Sequence, residues 1–153
     1  FVTTRLPSVP DGSHRRLFIE RTTNRLPENA DEVEQVLRDH GFEFVRPGAD
    51  PMRDRSIFAA ADVVVGAHGA GLANMLFCPP TAKILELTPT DHAYPYMFTA
   101  AMASGLDYRY LSCPSVDHGR SATSGPSPHN YVCDPSVLDT ALRELLAEPP
   151  RAA

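Results

Sequence analysis

The 153-residue chain has no tryptophan, and Lys83 is the one lysine among its fourteen basic residues. Such an arginine excess points to a GC-rich genome, here taken as bacterial, rather than to a function. Three cysteines, Cys78, Cys113 and Cys133, are too few and too far apart for a disulfide scaffold or a Cys-x-x-Cys metal site. Reduced thiols in a cytoplasmic protein are the expectation. The six histidines are scattered and no acids stand as Asp-x-Asp, so no bound metal is expected. A net charge of −5 argues against nucleic acid, which needs a clustered basic face. No apolar run approaches the length that spans a bilayer, and no signal pattern opens the chain. It begins at Phe1 rather than methionine, so it reads as a cut-out piece and an upstream signal stays open.

What is present is an ordinary globular composition, 42% hydrophobic and 22% charged, at a length that suits one domain. Its centre is the stretch Ala61–Phe77. Val63, Val64 and Val65 form a β-branched run suited to a strand buried on both faces. The chain then turns through Gly66, Gly69 and Gly71 around His68. Leu72, Met75, Leu76 and Phe77 follow at helical spacing, and Pro79-Pro80 stops them. A strand, a glycine-rich turn and a helix start form a general device for holding phosphate. The same pattern also serves a tight strand-to-helix crossing packed through small residues, and the motif alone leaves the two equal.

Residues 1–15 have a linker composition, and the domain is expected over 16–153. Strands are expected at Leu17–Ile19, Phe42–Val45, Val63–Val65, Lys83–Leu87 and Asp107–Leu111. Between them, Asn29 and Glu32 stand as a capping box and Gly41 as the helix end. Asp50-Pro51 and Asp134-Pro135 each supply an N-cap and a first-turn proline. A helix is expected from Tyr94 to Ser104, ended by Gly105, and a long loop over 112–128. Alternating strands and helices predict an α/β fold, a Rossmann-like parallel sheet with helices on both faces. Ligands of such sheets bind beyond the carboxyl ends of the strands. Arg21, Arg46, the His68 turn and the segment Glu86–Asp91 should share that edge. A cation, a glycine-rich turn and an acid there suit a nucleotide diphosphate.

Leu17-Phe-Ile-Glu-Arg21, the segment Ala61–Leu72 with its His-Gly-Ala-Gly-Leu turn, and Lys83-Ile-Leu-Glu-Leu87 resemble the glycosyltransferase 61 family. The likeness runs from about Arg16 to Leu111. It implies the C-terminal half of a GT-B glycosyltransferase, an inverting enzyme of polysaccharide or glycan synthesis. The donor would be a nucleotide sugar, typically UDP-linked, and the acceptor a hydroxyl of a glycan. No separate cofactor is implied. The partners would be a missing N-terminal domain, which carries the general base, and a membrane surface reached peripherally through upstream sequence. One residue departs from the family: Glu20 stands before Arg21, where serine is frequent.

On this footing Arg21, His68, Gly69, Ala70, Gly71, Leu72, Glu86 and Thr88 are the expected donor-binding residues. Arg21 would take phosphates, and the glycines would offer backbone N–H groups around Ala70. His68 is the expected catalytic residue, giving a hydrogen bond to the diphosphate or leaving oxygen. Glu86, inside a hydrophobic strand, needs a partner, with donor hydroxyls and Arg21 as candidates. Asn74 reads as a structural hydrogen bond, Asp91 and His92 as loop residues near the cleft, and Tyr94, Tyr96, Tyr108 and Tyr110 as packing residues. A rival of another class is a non-catalytic Rossmann-like module that binds a nucleotide or a protein partner.

Overall fold

A computed structural model describes residues 15–48, 50–92, 94–116 and 129–149. Five strands, β1 Arg15–Ile19, β2 Glu43–Val45, β3 Ala61–Ala67, β4 Lys83–Pro89 and β5 Asp107–Cys113, form one sheet in the order β2-β1-β3-β4-β5. Every pairing is parallel. Four helices connect or follow the strands: α1 Ala30–Asp39, α2 Pro51–Ala59, α3 Tyr96–Ala103 and α4 Pro135–Ala147. The expected linker (apart from Arg15) and residues 117–128 of the expected loop lie outside the described residues. No described helix is long and apolar enough to cross a membrane.

Alternation along the strands builds two cores. Phe18, Val63, Val65, Leu85 and Leu87 point to α1 and α4, where Val33, Leu37, Leu138, Leu142 and Leu145 meet them. Leu17, Ile19, Val64 and Ile84 point the other way, to Phe58, Leu72, Met75 and Ala101. Burying each such side chain contributes about 1.5–3 kcal/mol relative to exposure. The expected α/β sheet with helices on both faces is therefore present.

Local signals fix most helix ends. The Asp50 carboxylate accepts from the Met52 and Arg53 amides at 3.0 and 3.2 Å, and Asp134 accepts from Ser136 and Val137 at 2.8 and 3.4 Å. The Ser136 hydroxyl and these amides hold the Asp134 carboxyl below its ordinary range. Gly41 follows α1 with φ 74° and donates to the Arg38 carbonyl.

Three expectations are corrected. Leu72–Phe77 is a 3-10 helix, not an α-helix. Six residues confined between Gly69 and Pro79 are too few to repay an α-helical nucleus, so i to i+3 bonds form instead. Asn29 stands at the α1 N-cap position without capping it. Its amide group pairs with Cys133, donating to the carbonyl at 2.8 Å and accepting from the amide at 3.1 Å, which ties α1 to the start of α4. Finally, Ser115–Val116 (β6) pairs antiparallel with Asn130–Tyr131 (β7), a small sheet the loop composition did not suggest.

The amino edge of the main sheet is closed by charge pairing. Arg15 bonds Glu43 through two nitrogens, one contact at 3.0 Å. Lys83, 5% exposed, donates to the Leu145 carbonyl at 2.6 Å and to the Glu148 carbonyl, satisfying the end of α4. Arg109 forks onto the Glu148 carboxylate, which raises the arginine's pKa.

Candidate functional site

In a 2-1-3-4-5 sheet the strand order reverses between β1 and β3, and the crevice beyond their carboxyl ends is the natural ligand site. Arg21 leaves β1 and His68 leaves β3 at that point. Arg21 donates from Nη1 to the His68 carbonyl at 3.2 Å and from Nε and Nη2 to Asn24 at 3.0 and 2.9 Å. Burial lowers its pKa, yet a guanidinium stays charged at any working pH. Arg25, held at the left-handed φ of 58°, joins it. Burial lowers the Arg25 pKa most, the like charge of Arg21 lowers it further, and Glu86 raises it. Arg25 therefore stands close enough to feel both the charge of Arg21 and the carboxylate of Glu86.

Glu86 is partnered by His68 and not by Arg21. Its Oε1 lies 2.5 Å from His68 Nδ1, with both side chains nearly inaccessible. A carboxylate on Nδ1 fixes the ring's orientation and leaves Nε2 as the nitrogen for a ligand. His92 packs over the His68 ring, centroid to centroid at 4.0 Å. It is 5% exposed, and neither ring nitrogen has a hydrogen-bond partner among the described residues. Burial, then the charges of His68 and Arg25, push its pKa down to about 4, against a smaller upward pull from Asp91. His92 is thus neutral at pH 7. Asp91 itself is engaged with His129 at 2.5 Å and with the Ser115 hydroxyl.

The three glycines of the turn do different things. A Cβ on Gly66 or on Gly71 would stand 3.1 Å from the Ile19 side chain, so those two serve packing. A Cβ on Gly69 would meet Arg21 Nη1 at 2.0 Å, and Gly69 has φ 152°. Gly69 is the glycine that admits the cation. The amides of Gly69, Ala70 and Gly71 donate to no backbone carbonyl among the described residues. Leu72 is a correction: its side chain is fully buried and its amide donates to the Gly69 carbonyl. The short 3-10 helix also offers little dipole, so attraction for an anion here comes from the arginines.

Two hollows flank the His68–Glu86 pair. One, of about 210 Å³, is lined by Glu20, Arg21, Arg25, Ala67 and Tyr131. The Tyr131 hydroxyl there is buried without a partner among the described residues, and burial pushes its pKa well up. The other, of about 490 Å³, is lined by Glu86, Thr88, His92, Tyr94, Tyr108 and Tyr110. Ala70 and Gly71 open instead on a third hollow beside Pro47 and Asn74. Asn74 donates to the Gly71 carbonyl at 2.9 Å, the structural role expected of it. Glu20 is drawn to exposed Arg46 at 3.6 Å. The structure thus brings Arg21, His68, Gly69, Glu86 and Thr88 together along one edge, sets Ala70 and Gly71 to the side, and removes Leu72. Arg25 and Tyr131 were missed, and His92, expected near the cleft, was not expected against the His68 ring. Arg25 lies four residues from Arg21, the one local hint, whereas nothing near Tyr131 in the chain announces it. Among the described residues no group of three His, Cys, Asp or Glu side chains stands where a metal ion would be held.

The family model described as glycosyltransferase 61 matches residues 2–85, more than half of the chain. The chain belongs to glycosyltransferase family 61. Among its relatives, the alpha-1,3-arabinosyltransferase XAT3 of Oryza sativa subsp. japonica is 32% identical over 145 residues, 86% of this chain and 24% of that protein. The beta-1,2-xylosyltransferase XAX1 of the same plant is 34% identical over 138 residues, with the same shares covered. The human protein O-linked-mannose beta-1,4-N-acetylglucosaminyltransferase 2 is 35% identical over 121 residues, 68% of this chain and 19% of that protein. The chain spans about a quarter or less of the length of these relatives, which come from a plant and an animal and lend no support to a bacterial origin.

Proposed function

We propose that this family 61 chain is the donor-binding domain of an inverting glycosyltransferase of the GT-B type, holding a UDP-linked sugar for transfer to a glycan hydroxyl. One observation carries the proposal: Arg21 and Arg25 converge with the His68–Glu86 pair at the strand-order reversal of the sheet. In the transfer, an acceptor oxygen bonds to the anomeric carbon as the bond from that carbon to the diphosphate breaks. Negative charge grows on the leaving phosphate, and the two guanidiniums are placed to stabilise it without a metal ion. His68, its Nδ1–H held by Glu86, presents Nε2 to the same oxygens, and as the imidazolium it gives them a hydrogen bond or moves a proton to them. The proton lost by the acceptor goes to a base in the remainder of the enzyme. The relatives' names specify different sugars, so the sugar is left unassigned.

Calorimetric titration of the chain with UDP tests this. The wild type should bind, and Arg21→Ala should weaken binding by roughly tenfold or more, the worth of a charge-assisted hydrogen bond. No binding by the wild type, or equal binding by the variant, contradicts the proposal.

A further inference from the structure

We propose that Cys113 and Cys133 form a disulfide, a covalent staple between the end of β5 and the start of α4. Along the chain the two are 20 positions apart, a spacing that by itself predicts reduced thiols. The fold sets them face to face.

Strand register carries the proposal. In the small antiparallel sheet Ser115 stands opposite Tyr131 and Val116 opposite Asn130. The Val132 amide donates to the Pro114 carbonyl at 2.9 Å, which continues the ladder by one pair. One step further in the same register, Cys113 stands opposite Cys133. Because Pro114 and Val132 make the hydrogen-bonded pair, the cysteines occupy a non-hydrogen-bonded one, where facing Cα atoms are about 4.5 Å apart. A disulfide spans Cα separations of about 4.4–6.8 Å. Side-chain direction agrees. Cys113, Tyr131 and Cys133 are buried in one core, while Pro114 and Val132 between them are exposed. The two sulfurs therefore lie on the same face of the ladder. They also act on each other: hydrogen bonding with Cys133 is the largest influence on the Cys113 thiol and lowers its pKa, and the same bond raises that of Cys133.

Both backbones are held where a link needs them. The Cys113 carbonyl accepts from the Thr90 amide at 2.8 Å, and the strand pairing sets Cys113 beside Pro89 of β4. Asn29 holds both the amide and the carbonyl of Cys133. Cys78 gives the contrast. It is buried in the core on the other side of the sheet, and burial alone pushes its thiol up to about 12. The link forms by exchange with a small disulfide such as oxidised glutathione, as the chain folds and before the core closes over the thiols. One cysteine thiolate attacks a sulfur of the oxidant and displaces a first glutathione thiolate. The other cysteine then attacks the mixed disulfide and displaces the second. Two electrons pass to the oxidant, and the two cysteine protons end on the released thiols. The staple reaches the arginine loop through Tyr131, whose amide donates to the Leu26 carbonyl at 3.0 Å and whose carbonyl accepts from the Glu28 amide at 2.7 Å. It thereby fixes the segment that follows Arg25.

The test refolds the reduced chain in a glutathione redox buffer, alkylates the free thiols and digests with trypsin. Cuts after Arg109, Arg120 and Arg143 leave Cys113 and Cys133 in separate peptides. The expected product joins those two peptides, lighter than their sum by two hydrogens, with Cys78 alone alkylated. The oxidised chain should melt roughly 5–10 °C above the same sample kept in dithiothreitol, the effect of closing a loop of this length. Cys78→Ser should keep both the link and the shift. Cys133→Ser should melt at one temperature with and without dithiothreitol, whatever its own stability. The wild-type comparison needs no substitution and stands even where a variant fails to fold. Alkylation of all three cysteines after refolding with oxidised glutathione, or a link through Cys78, would overturn the proposal. Equal melting temperatures for the linked and reduced chains would overturn it as well.

Discussion

The two edges of the main sheet treat some of their polar side chains differently. At the amino edge, Arg15 meets Glu43, Arg109 meets Glu148, and buried Lys83 is taken up by two carbonyls of α4. At the carboxyl edge, Arg21 spends its donors on an asparagine and a backbone carbonyl, His92 spends none, and the Tyr131 hydroxyl is equally idle. Closed charge at one end stabilises the fold. Open polarity at the other costs stability, and it is tolerated where a ligand completes it.

That contrast breaks or sharpens under substitution. The largest expected effect on stability is at the closed edge. Lys83→Met should cost about 2–4 kcal/mol, because two buried carbonyls lose their donor, while UDP affinity is unchanged. Denaturant unfolding and titration on the same sample measure both, and a loss of affinity without a loss of stability would erase the distinction between the edges. Next is Gly69→Ala. A side chain at φ 152° that also meets Arg21 should cost roughly 1–3 kcal/mol and, by displacing the guanidinium, weaken UDP binding. Unaltered affinity in that variant would detach Arg21 from the site. The smallest effect is a pH dependence. His92 has a folded pKa of about 4, below the ordinary 6.5, so the unfolded chain binds its proton first as pH falls. Stability should be complete above pH 6.5 and fall toward pH 4, by roughly 1–2 kcal/mol at pH 5. The groups acting on His92 are His68 and Arg25, which oppose its proton, and Asp91, which favours it. His92→Phe should flatten the wild-type slope in denaturation at pH 7, 5.5 and 4. Identical slopes would mean that His92 is not held neutral by the fold.

The fold was largely legible because its signals are local. Asp50-Pro51, Asp134-Pro135 and Gly41 each act within four residues, and strand alternation needs only neighbours. The site was legible only in outline. Strand ends located Arg21, His68 and Glu86, but the Glu86–His68 contact joins positions 18 apart and the Asn29–Cys133 pair joins positions 104 apart. No periodicity encodes such pairs. The same limit hid the tilted contact of His92 with the His68 ring and the burial of this loop side chain, which is 5% exposed. The glycine-rich turn divided between its two meanings: Gly66 and Gly71 pack against Ile19, and only Gly69 serves the cation.

The central claim is that the carboxyl edge, and not charge in general, holds the diphosphate. Titration with inorganic pyrophosphate, in wild type, Arg21→Ala and Arg109→Ala, tests it most directly. Each variant removes one arginine, from opposite edges. Affinity reduced roughly tenfold by Arg21→Ala and unchanged by Arg109→Ala is the predicted result. Equal losses in both variants, or none in either, would contradict the account.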